Sequence, residues 1–151
     1  LARKPQGNDR AQVKAVKEGQ CDVALGNSYY FGAMLTNEKE PEQKEWANSV
    51  NLLFPNQADR GAHMNISGAA ITANAPNPES AQALLEFLTS EEAQRIYAEV
   101  NYEFPVRPGV ARSALINEYM GEFKADEVSL TRVAANRSAA AKMVDRVGFD
   151  N

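Results

Sequence analysis

A chain of 151 residues has room for one domain with a real core, or for part of a larger two-lobed protein. Its 44% hydrophobic and 24% charged residues are ordinary for a soluble globular protein, while a net charge of −4 argues against the concentrated basic face that nucleic-acid binding needs. No apolar run approaches the roughly 20 residues of a bilayer span. One cysteine, Cys21, excludes an internal disulfide, and one histidine, His63, leaves no Cys/His cluster for zinc.

The chain opens at Leu1 on a stretch, residues 1–10, that reads as a loop entered midway, so a fragment of a longer protein is expected. Asp9 is placed to cap a helix over residues 10–18, which Gly19 stops. Residues 21–26, "CDVALG", read as a short strand with Cys21 buried and inert. Asn27 or Ser28 caps the next helix, which carries Tyr30, Phe31, Met34 and Leu35 at helical spacing. Another helix starts after Pro41, with Trp46 and Val50 facing inward. Residues 50–55 read as a second strand, and residues 64–76 as a buried strand in which Gly68 marks close backbone approach.

A helix from Pro78 or Glu79 to Leu88 is expected to bury Ala81, Leu84, Leu85 and Leu88. Thr89 and Glu92 have capping-box spacing ahead of Ala93, Ile96, Tyr97 and Val100, an amphipathic helix. The two prolines of "NYEFPVRPGV" keep that stretch extended. A last helix spans about residues 129–147 and ends at Gly148. Strands alternating with helices give an α/β class, although three or four strands are few for a closed α/β domain of this length.

The stretch "GNSYYFGAML" sets two phenols side by side where a strand ends and a helix begins. In a first helical turn neighbouring side chains diverge by roughly 100°, yet long phenols can still converge near the helix start. In open α/β sheets ligands bind at such carboxyl ends of strands. A trivalent cation displaces the phenolic proton, and phenolate is a hard anionic donor suited to Fe³⁺. On spacing alone the pair also reads as core or rim packing.

The runs "CDVALGNSYYFGAML", "LLFPNQADRGAHMNISGAAIT" and "ALLEFLTSEEAQRIYAEVNYEFPV" together resemble the C-terminal half of ferric-ion-binding proteins, the periplasmic substrate-binding components of bacterial iron ABC importers. The resemblance covers nearly all of the chain. The "FLTSEEAQ" stretch is common among substrate-binding proteins; Asn-Ser-Tyr-Tyr followed by Pro-Asn-Gln and Asn-Ile-Ser-Gly is narrower.

The resemblance implies a periplasmic-binding-protein-like fold of two α/β lobes with Fe³⁺ in the cleft between them. Residues 1–60 would belong to the C-terminal lobe, 61–108 would cross into the N-terminal lobe, and 109–151 would return. The family's paired tyrosines match Tyr29 and Tyr30. The other ligands would come from an N-terminal portion preceding this chain. Asn27 lies where some members bind a synergistic anion such as carbonate or phosphate. Arg10 would stabilise the phenolates or that anion, against the alternative of a solvated first-turn side chain. His63 is read as structural. The partners implied are ferric ion or a ferric chelate and an inner-membrane permease, with no nucleic acid. Two alternatives stand beside this reading. One is a paralogue for another small anion or organic ligand. The other is an enzyme, for which no Gly-x-Ser-x-Gly elbow, phosphate loop or nucleophile with a histidine base is present.

Overall fold

A computed structural model describes residues 7–149; the remainder of the opening loop expected over residues 1–10 lies outside them. Helix α1 (Asp9–Lys17) starts at Asn8, whose Oδ1 accepts from the Ala11 N–H at 3.1 Å. The cap is therefore Asn8 rather than Asp9. Gly19, at φ 70°, takes the left-handed conformation that lets the chain leave the helix. Helices α2 (Ser28–Leu35) and α3 (Glu42–Ala47) follow where the apolar spacing places them. These three helices pack together around Phe31, Met34 and Ala47, with Val13, Leu35, Trp46, Val50 and Leu52 at the margin. Burying a side chain such as Phe31 or Met34 contributes about 1.5–3 kcal/mol. Lys17 bridges to Glu45 at 3.1 Å on the rim, an exposed pair of small worth.

A second group of helices comprises α4 (Pro78–Leu88), with proline in its first turn, and α5 (Glu91–Ile96). Ser90, not Thr89, caps α5: its hydroxyl accepts from the Ala93 N–H at 3.2 Å, while Thr89 closes α4. The expected helix runs past Val100, but not as a regular α-helix. It widens into a π-helical turn over Tyr97–Asn101 and ends on Tyr102 at φ 60°. Tyr102 explains that ending. Its ring lies flat on Gly32 of α2, where a Cβ would collide with the ring carbons, and its hydroxyl donates to Thr36 Oγ1 at 2.9 Å. The second helical group is thereby fastened to the first.

No strand forms among the described residues; one parallel bridge, Ala62 to Ala125, stands alone. The α/β expectation is not met within them. Residues 21–26, 50–55 and 64–76 run without a ladder, and the physical reason is the absence of neighbours. Val23, Leu25 and Leu53 are each at least 84% exposed, and Ile66 and Ile71 are exposed too. A strand needs a partner 4.7–4.9 Å away in the hydrogen-bonding direction, and no described segment supplies one here. Gly68 has open space around it, so no backbone approaches it closely.

Two further helices complete the order. Helix α6 (Ala114–Met120), which sequence periodicity missed, buries Ile116 and Met120. Helix α7 (Leu130–Val147) is capped by Ser129 and ended by Gly148 at φ 61°, as the sequence reading placed it. No residue of α7 or α4 is buried, however, and Leu84, Leu130, Met143 and Val147 are all exposed. Between the groups, Phe54 stacks on Phe123 at 4.0 Å, and Arg112 lies over both Phe104 and Phe123. Beside the Ala62–Ala125 bridge, Arg60 pairs with Asp126 at 2.8 Å.

Candidate metal centre

Helix α2 begins at Ser28, so Tyr29 and Tyr30 both project from its first turn. Their ring centroids lie 4.5 Å apart at an interplanar angle of 38°. The two side chains share a hydrogen bond, and this pushes the phenol pKa of Tyr29 up. Burial adds to the rise, as do the charges of Tyr30, Asp9 and Glu103. The two rings are neighbours, although side chains in one helical turn start out in different directions. Both tyrosines are half-buried and retain access to solvent.

Other side chains lie around the pair. The Arg10 guanidinium sits over the Tyr30 ring, 5.0 Å from its centroid, a cation–π contact. Its Nε is buried and has no hydrogen-bond partner, which leaves a donor available to an anion. Asn27 is the residue before α2, yet its side chain makes no cap bond. Its Nδ2 instead donates to Asp9 Oδ1 at 3.2 Å, and its Oδ1 accepts from Asn65 Nδ2 at 3.0 Å. The structure thus brings together all four residues that the sequence singled out: Tyr29, Tyr30, Asn27 and Arg10. Asp9, Asn65 and Glu103 were missed. Asp9 was read as a cap and Asn65 as part of a buried strand, and only the fold carries them to Asn27, beside the phenols. His63 is exposed and Cys21 half-buried.

Chemically, two adjacent phenols offer two hard oxygen donors once a cation displaces their protons. Among the described residues no group of three or more His, Cys, Asp or Glu side chains is arranged to hold a metal.

The chain belongs to the bacterial extracellular solute-binding protein family, whose profile matches residues 6–125. It is similar to iron uptake protein A1 of Synechocystis, with 44% identity over 149 residues covering 99% of this chain and 41% of that protein. Among solved structures, an apo ferric ion-binding protein A from Pasteurella haemolytica matches with a TM-score of 0.92 at 49% identity, over 100% of this chain and 46% of that one. A Trichodesmium protein in complex with iron and citrate ligands matches at 0.89 and 44% identity, over 99% and 46%. The relationship to ferric-ion-binding proteins expected from the sequence holds, and the chain spans less than half the length of each of these relatives.

Proposed function

We propose that this chain is the C-terminal portion of a periplasmic substrate-binding protein that captures Fe³⁺ for an ABC importer, with Tyr29 and Tyr30 binding the ion as phenolates. The observation that carries the reading is the close approach of the two phenol rings at the start of α2, in a chain whose relatives include ferric-ion-binding proteins. Two phenolates leave one positive charge on Fe³⁺. A synergistic anion such as carbonate or phosphate meets it, held by the unpartnered Arg10 Nε beside Asn27. Citrate accompanies iron in the Trichodesmium relative.

The remaining ligands come from an N-terminal portion of the same protein. Residues up to about 60 and from 109 onward belong to one lobe, and residues 61–108 to the other. The closed protein hands its iron to an inner-membrane permease. The protein catalyses nothing; it binds and releases.

Replacing Tyr29 or Tyr30 with Phe removes one oxygen and keeps the ring. If the pair only packs, each change costs about 0.5–1.5 kcal/mol of stability for a lost hydrogen bond and leaves iron untouched. The expected result is a near-normal thermal melt of the apo variants, iron binding weakened by orders of magnitude, and a faded phenolate-to-iron colour band. Iron titrations of the intact protein and both variants decide it, and normal binding in both would overturn the assignment.

A further inference from the structure

Asp9 occupies a position that helix capping does not require. Asn8 already caps α1, and Asp9 forms none of the ion pairs found among the described residues. Its Oδ1 turns instead to the start of α2, where it accepts the Asn27 backbone N–H at 2.6 Å and Asn27 Nδ2 at 3.2 Å. The carboxylate also lies against Gly26, where a Cβ would come within 3.3 Å of Oδ1 and within 3.6 Å of the Asp9 Cβ. One oxygen thus holds both the backbone and the side chain of the residue from which the Tyr29–Tyr30 turn departs. Asn65 fixes the other face of Asn27 at 3.0 Å. A short charge-assisted bond of this kind is about twice as strong as a neutral one.

We propose that Asp9 is the positioning residue of the phenol pair: through Asn27 it sets the direction of the first turn of α2, and its charge favours ferric ion at that turn. The proposal rests on the reading of Tyr29 and Tyr30 as iron ligands. The charge effect follows from the exchange itself. Two phenolic protons leave and one Fe³⁺ enters, so the site gains one positive charge. A nearby carboxylate without a cationic partner stabilises that gain. Glu103, held by the Ser67 hydroxyl at 3.0 Å, acts in the same direction.

Two variants separate the hydrogen bond from the charge. Asp9→Ala removes both; Asp9→Asn keeps an oxygen that can accept from Asn27 and removes only the charge. The intact protein and each variant are titrated with Fe³⁺, their phenolate-to-iron band is recorded, and the apo forms are melted. Loss of an outer partner of this type weakens metal binding by about 10–100-fold. Asp9→Ala is expected to show that loss with a displaced band. Asp9→Asn is expected to keep the band in place and bind more weakly than wild type but more tightly than Asp9→Ala. Wild-type affinity and an unmoved band in Asp9→Ala overturn the proposal. If Asp9→Ala does not fold, wild-type affinity in Asp9→Asn overturns it. The tyrosine variants keep the two ideas apart. Lost binding in Tyr29→Phe or Tyr30→Phe with full binding in both Asp9 variants rejects only the role of Asp9. A wild-type protein that binds no iron rejects the ligand assignment, and this inference with it.

Discussion

Tyr29 is under two opposing demands. Its hydrogen bonding with Tyr30, its burial and the charges of Asp9 and Glu103 hold its phenol above the ordinary value of 10.0, so Tyr29 is neutral in the apo protein at physiological pH. Ligation requires the opposite. Each phenolate formed releases one proton, and the steepness of iron affinity against pH counts the protons released. Two phenols contribute about two to the slope of log affinity against pH, or about a hundredfold per pH unit. Either Phe variant should lower that slope by about one, and a slope unchanged in both would show that the phenols do not ligate. The apo protein has its own dependence. A phenol whose pKa is raised in the folded state stabilises that state below the unfolded value and loses the contribution as pH climbs through the folded one. Apo melts should therefore be insensitive to Tyr29 at neutral pH and fall above pH 10.

At the level of elements, Gly32 links the fold to the site. Tyr102 covers its bare Cα and carries Glu103 toward the phenols. Gly32→Ala forces the ring away, an overpacking of the kind that costs about 1–3 kcal/mol. A thermal melt should show the loss, and a variant as stable as wild type would mean that the ring moves aside freely. Ser90→Ala should cost about 1 kcal/mol through the lost cap of α5, with no change in iron binding. Apart from α6, the helices were legible in sequence because their signals are local: Asn27 before α2, Pro78 in the first turn of α4, Gly148 after α7. The strands were not recoverable in the same way. The apolar run at residues 21–26 and the weak alternation at 64–76 state a preference, but a strand exists only with a neighbour, and these segments find none among the described residues. The phenol pair could be found because its members are adjacent. Asp9 and Asn65 were hidden because they meet Asn27 only across 18 and 38 residues of chain.

On the scale of the whole molecule, surface area is the informative quantity. A closed monomer of this 16.5 kDa mass should expose about 7,500 Å², whereas the chain exposes 11185 Å². The excess is apolar where it matters. Val23, Leu25 and Leu53 stand clear on segments without a ladder. Phe87 and Ile96 line an apolar cavity of about 260 Å³ between α4 and α5. All of α7 lies open. Monomeric proteins rarely expose contiguous apolar patches larger than a few hundred Å², so these faces are expected to be covered in the protein at work. The chain expressed alone should bind a hydrophobic dye strongly or associate, and should melt broadly. Adding back the portion that precedes it in the longer relatives should abolish the dye signal and sharpen the melt. Light scattering, dye fluorescence and calorimetry on the two forms make the comparison. A monomeric 151-residue chain that melts cooperatively and leaves the dye dark would mean that these faces need no cover, and the two-lobed assembly would lose its physical basis.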